Sequence, residues 1–185
     1  MKLLLLFMIL FSCGKIEYPK SQPSIYGSYL DGNGECLLNI GHRVGGGFRE
    51  LRDNEIESAY AVENLQNHEC FSHWEFDVNS TKDTIIVTHD DSYLGTRLNS
   101  KNADRFPFMT YEEFISEFTK LNLVKNVRVD LKKVKESHFE LLIREVQYLS
   151  NFTTVKIVTH INKKDRYSEL IPVLKNLGFS VGFYR

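Results

Sequence analysis

From residue 71 onward the hydrophobic period switches repeatedly between two and 3.6 residues, and that alternation narrows the possible folds more than any other feature of the chain. Runs at 71–79, 84–88, 126–131, 154–159 and 179–184 read as strands, short and largely apolar between polar segments. Stretches at 111–121, 137–149 and 165–177 read as helices. The second of these carries Phe139, Leu142, Ile143, Val146 and Leu149 on one stripe. Thr110 followed by Glu113 has the spacing of a capping box, and Gly178 suits a helix C-terminus. Upstream, 35–42 reads as a strand, 44–53 as a loop containing Gly45-Gly46-Gly47, and 55–70 as a helix on which Ile56, Tyr60 and Leu65 recur at helical spacing. Ser80-Thr81-Lys82-Asp83 is a tight polar turn. Strands alternating with helices specify βαβ units on a parallel sheet.

A length of 185 residues suits one domain, and a hydrophobic fraction of 42% suffices for a core. The net charge of -1, with no dominant basic stripe, excludes a general nucleic-acid binder. Residues 1–12 read as a leader rather than as fold. Met1-Lys2 is a short basic start, and Leu3 to Phe11 is an apolar run too short to span a bilayer of roughly 30 Å. Leu10-Phe11-Ser12-Cys13 resembles a bacterial lipobox, which makes Cys13 the lipidated residue of an exported lipoprotein. An ordinary secretory signal that happens to contain a cysteine is the alternative. Residues 13–34 read as a tether and 35–185 as the folded domain. Such a protein is anchored to a membrane surface in the cell envelope and does not span it. Gly14 after the cysteine resembles Gram-negative lipoproteins of the outer membrane. Export implies an oxidising compartment, so Cys36 and Cys70 are either a disulfide or two buried thiols.

The residues able to do chemistry gather near the ends of the strand-like runs. In Trp74-Glu75-Phe76-Asp77-Val78, alternation puts Glu75 and Asp77 on one face and the three apolar side chains on the other. Two carboxylates side by side repel, and a chain that keeps such a pair usually seats a cation between them. His42 and Arg43 follow the 35–42 run, His89 follows 84–88, and Asp130 and Lys132 close 126–131. Two histidines, three carboxylates, an arginine and a lysine suit metal-assisted cleavage of a phosphate ester. C-terminal strand ends are also where α/β barrels place their sites. His160 ends another run and could share that mouth, whereas His73, on the parity of Glu75, reads as a core histidine. His68 and His138 sit in helical stretches and carry no signal.

In order along the chain, Gly41-His42-Arg43, Glu75-Phe76-Asp77-Val78, Val87-Thr88-His89-Asp90, Phe108-Met109-Thr110-Tyr111-Glu112-Glu113-Phe114-Ile115 and Val129-Asp130-Leu131-Lys132 resemble the motif series of glycerophosphodiester phosphodiesterases. The resemblance covers about residues 37 to 135 and implies a TIM-barrel-like parallel (β/α) barrel. It implies that Glu75, Asp77 and Asp130 hold one divalent cation, Ca²⁺ or Mg²⁺, as hard oxygen ligands would. It implies that His42 and His89 form an acid-base pair, since imidazole titrates near neutral pH. Arg43 and Lys132 would hold the phosphate. The substrate would be a glycerophosphodiester or another phospholipid-derived molecule, cleaved to an alcohol and glycerol 3-phosphate. A phospholipase C- or D-like enzyme forming a cyclic phosphate, and a degenerate barrel kept as a surface binding module, are the alternatives.

The chain departs from that family in three places. Val44 intervenes before Gly45, where the family has His-Arg-Gly. The family's Glu-Asn-Thr has two possible counterparts, Glu63-Asn64 and Glu57-Ser58. The spacing to Glu75 favours Glu57 as a residue bracing the site. Asp130 stands where the family has a glutamate, one methylene longer. Length is the larger difference: 185 residues fall short of the roughly 250 typical of a closed barrel. Five main strands and one short one make a truncated or incomplete barrel, whose open edge a second copy could cover in a homo-oligomer.

Overall fold

The computed structural model describes residues 42–44, 54, 56, 59–60, 73–90, 92–93, 96–99, 101, 109–121 and 125–185. The predicted leader with Cys13, the tether, the strand at 35–42 except His42, most of the helix at 55–70, Glu57, Cys36 and Cys70 lie outside the described residues, and His42 opens a 3-10 turn instead of ending a strand. The described chain is α/β. Its strands are β1 (His73–Ser80), β2 (Ile85–Val87), β3 (Ser92–Tyr93), β4 (Thr96–Arg97), β5 (Asn126–Lys133), β6 (Val155–His160) and β7 (Ser180–Tyr184). Its helices are α1 (Tyr111–Phe118), α2 (Phe139–Leu149) and α3 (Leu170–Asn176).

Five strands form one sheet in the order β2-β1-β5-β6-β7, and β3 with β4 makes a separate two-stranded ribbon. Across β1, β5, β6 and β7 the sheet is parallel, with β5, β6 and β7 in sequence order. The β5-to-β6 and β6-to-β7 crossovers carry α2 and α3, as βαβ units require. At the other edge β2 runs antiparallel to β1, with Val78 opposite Val87. That departs from an all-parallel reading. The turn at residues 81–84 is too short for a crossover and folds the chain back, closed by the Thr81 N–H donating to the Thr84 carbonyl at 2.8 Å.

Strand alternation gives the sheet two unlike faces. Trp74, Phe76, Val78, Val127, Val129, Leu131, Val155 and Ile157 join the helices in one buried cluster. Phe114 packs on Phe76 at 4.9 Å between ring centroids, and Phe118 meets Trp74 edge-on at 5.8 Å. The capping box at Thr110 and Glu113 forms as its spacing predicts and starts α1. α3 begins later than the periodicity suggests: Ile161–Tyr167 is a 3-10 turn and the helix opens only at Leu170. Pro172 explains this, because it lacks an N–H and its ring clashes with a helical carbonyl four residues back, so it is tolerated only in a first turn.

On the opposite face the register lines up side chains in rows across the parallel strands, with the carboxylates on the first two strands, β1 and β5. Glu75, Arg128, Lys156 and Ser180 form one row, and Asp77, Asp130, Val158 and Gly182 the next. Beyond them on β6 and β7, His160 pairs with Tyr184.

Candidate metal centre

Asp77 and Asp130 are register partners on adjacent parallel strands, and Glu75 stands two residues before Asp77 on the same face. The sheet therefore holds three carboxylates in one small volume. One oxygen from each lies within 4.8 Å of the other two, and all three residues are buried. This group of hard oxygen donors can hold a metal ion.

Two cations reach the same volume. Lys132, two residues past Asp130, places Nζ 2.7 Å from Asp130 Oδ2 and 3.0 Å from Asp77 Oδ1. Its side chain is only 13% exposed, so it is no surface lysine, in contrast to its exposed neighbour Lys133. Arg43 lies in a 3-10 turn at His42–Val44. Its Nε is 3.2 Å from Asp77 Oδ2, and its backbone N–H donates to Glu75 Oε2 at 3.3 Å. Burial and the adjacent charge of Asp77 push the Glu75 carboxyl up from 4.5 to about 7, against the Arg43 N–H, which acts the other way. Burial alone would lower the Lys132 ammonium, but the hydrogen bond to Asp130 and the charge of Asp77 outweigh it and raise its pKa.

Asn54 fixes Asp77 from outside the sheet. Its Nδ2 donates to Asp77 Oδ2 at 2.9 Å, and its Oδ1 accepts the Asp77 backbone N–H at 2.8 Å. The Thr88 N–H donates to the Asp77 carbonyl at 3.0 Å. Three non-glycine residues here have left-handed backbones: Arg43 (φ 49), Val44 (φ 51) and Asn54 (φ 64). For a β-branched residue such as Val44 that conformation is a true outlier. The Asn54 N–H donates to the Arg43 carbonyl at 2.7 Å, which ties the strained segments together.

Of the residues singled out by sequence, Glu75, Asp77, Asp130, Arg43 and Lys132 therefore converge. His42 opens the turn that delivers Arg43, and its side chain lies outside the described residues. His89 comes one residue after the Thr88 bond to Asp77. Its ring is half-exposed, with Nδ1 3.3 Å from Asp90 Oδ1. Its carbonyl accepts from Asn79 Nδ2 at 3.2 Å. His160 accepts the Asn162 N–H on Nδ1 and sets its ring edge-on to Tyr184 at 5.5 Å. His73 lies on the polar face, where burial and the charges of Arg128 and Lys156 lower its pKa. His138 is engaged elsewhere, its Nδ1 2.9 Å from Ser80 Oγ.

Sequence reading missed Asn54 and Tyr184. Tyr184 donates to Asp130 Oδ2 at 2.6 Å and accepts from Lys132 Nζ at 3.1 Å. Its parity with Gly182 at the end of a strand was the available signal, whereas Asn54, in a turn, gave none. Comparison of the chain with family models, with characterised proteins and with solved structures yields no match.

Proposed function

We propose that this protein is a metal-dependent phosphodiester hydrolase of the glycerophosphodiesterase type, with one divalent cation, Ca²⁺ or Mg²⁺, held by Glu75, Asp77 and Asp130. The observation that carries the reading is the buried triad itself, three carboxylates from two register-paired strands with oxygens within 4.8 Å of one another. The residues also fit an ion on independent grounds. Asp130 Oδ1 is buried and has no hydrogen-bond partner among the described residues. Burying such an acceptor unsatisfied is costly unless something coordinates it.

A bound cation supplies Lewis-acid stabilisation of the charge on the phosphate oxygens. The chain's own residues do the rest. Arg43 and Lys132 already face the carboxylates and bring two positive charges to where a phosphodiester anion must sit. His42 and His89 exchange protons with the attacking water and the leaving alkoxide, one taking a proton and the other giving one. Asn54 and the Thr88 N–H hold Asp77 still, so the metal seat does not rearrange during a turnover.

The parallel run β1-β5-β6-β7, with charged residues on one face and an apolar face under helices, supports an incomplete (β/α) barrel-like architecture. An exported, lipid-anchored enzyme at the envelope would meet glycerophosphodiesters released from membrane lipids. The test is hydrolysis of glycerophosphocholine to choline and glycerol 3-phosphate. Activity should vanish with EDTA, return with Mg²⁺ or Ca²⁺, and fall in His42→Ala. Activity that survives both chelation and His42→Ala refutes the proposal, and a cyclic phosphate product replaces hydrolysis with cyclisation.

A further inference from the structure

Resting on the metal-site reading above, we infer that Tyr184 is a positioning residue that selects which oxygen of Asp130 faces the cation. Asp130 has two oxygens in unlike surroundings. Oδ2 takes two donors, Lys132 Nζ at 2.7 Å and the Tyr184 hydroxyl at 2.6 Å. Oδ1 takes none among the described residues and is shut off from solvent. A carboxylate whose one oxygen is clamped by two donors cannot rotate freely about its last bond. Oδ1 is left as the ligand atom.

The clamp is built across three strands. Tyr184 is on β7 and Asp130 on β5, two strand spacings apart, or about 9.5 Å. Val158, the register neighbour of Asp130 on β6, and Gly182, its neighbour on β7, present small or no side chains along that path. His160 on β6 packs edge-on against the Tyr184 ring, and Lys132 Nζ lies 5.6 Å from the ring centre. The His160 contact holds the ring, and Lys132 Nζ meets the hydroxyl at the ring's far end. It donates to Asp130 and accepts from Lys132, so the three groups close a triangle of hydrogen bonds. Outer donors of this kind fix the orientation of metal ligands and tune affinity.

The experiment is calorimetric titration of Mg²⁺ and Ca²⁺ into the full chain and into Tyr184→Phe, which keeps the ring and removes only the hydroxyl. Tyr184→Phe should bind the ion roughly tenfold more weakly, at the low end for lost outer-shell partners because Lys132 still holds Oδ2. Unfolding of the metal-free protein should change little. Affinity within twofold of the parent refutes the clamp, as does weakening in Tyr184→Leu without weakening in Tyr184→Phe, which would assign the effect to ring packing. If Tyr184→Phe does not fold, 3-fluorotyrosine at position 184 gives a second readout. Its ¹⁹F resonance should shift on addition of the ion, and no shift refutes the inference. A parent chain that binds neither ion overturns the metal-site reading itself, an outcome distinct from failure of the Tyr184 variant.

Discussion

Replacing Glu75 by Gln should stabilise the metal-free protein and cost it its ion. The fold holds the Glu75 proton more tightly than the unfolded chain does, since burial and Asp77 raise its pKa from 4.5 to about 7. The stability tied to that proton is intact below pH 4.5 and is lost as the pH rises through 7. At 1.36 kcal/mol per pH unit, the parent forfeits about 3 kcal/mol over that window. Glutamine has a similar shape and no charge, so Glu75→Gln should match the parent near pH 4.5 and exceed it by about 3 kcal/mol at pH 8.5. For a domain of this size that is a rise of roughly 10 °C in melting temperature. A bound cation reverses the order. It displaces the proton and restores the parent, adding about 2.7 kcal/mol at a concentration one hundred times its dissociation constant, whereas Glu75→Gln has lost a ligand charge and should gain little. Thermal unfolding at pH 4.5 and 8.5, with EDTA and with saturating Mg²⁺, gives all four comparisons. If Glu75→Gln in EDTA at pH 8.5 melts below the parent, Glu75 is not held at electrostatic cost. If both proteins gain equally from Mg²⁺, Glu75 is not a ligand.

Lys132→Met leaves Asp77 and Asp130 facing each other without their shared ammonium. It should cost about 3 kcal/mol in EDTA, with Mg²⁺ recovering more stability than in the parent, read by urea unfolding. Asn54→Ala removes both bonds to Asp77 and places alanine at φ 64. A loss of about 2 kcal/mol is expected, with part of it regained in Asn54→Gly, and equal stability of the alanine and glycine variants would show that the backbone conformation carries no strain. Phe76→Ala opens a cavity on the apolar face against Phe114, Phe118 and Tyr111. It should cost about 3 to 5 kcal/mol while the folded fraction keeps the parent's cation affinity, because the change lies across the sheet from the carboxylates.

The polar face was legible because a strand has a period of two. Once 71–79 reads as a strand, Glu75 and Asp77 must share a side, and the observed register adds only that Asp130 stands directly opposite Asp77. The capping box was legible because it is local, three residues from Thr110 to Glu113. What escaped depends on distance. The contact of Tyr184 with Asp130 spans 54 residues of sequence and needs the strand order, which no local pattern encodes. The direction of β2, by contrast, follows from the tight turn at Ser80-Thr81-Lys82-Asp83, which is too short for a parallel crossover.

Asn54, Arg43 and Val44 show why a site can be less legible than its scaffold. Arg43 and Val44 adopt left-handed backbones that their residue types disfavour, Asn54 adopts one that asparagine tolerates better than most, and Arg43 and Asn54 contact Asp77 directly. Such conformations cost of order 1–3 kcal/mol each and persist where the surrounding contacts over-determine them. Here the contacts are identifiable. Val44 is wholly buried, the Asn54 N–H is held by the Arg43 carbonyl, and both oxygen and nitrogen of the Asn54 side chain are spent on Asp77. The segments delivering Arg43 and Asn54 are therefore pulled into shape by the carboxylate they serve. Sequence rules built on local preference fail at these residues for that reason, while the sheet beneath, which obeys those rules, keeps Asp77 in place to be gripped.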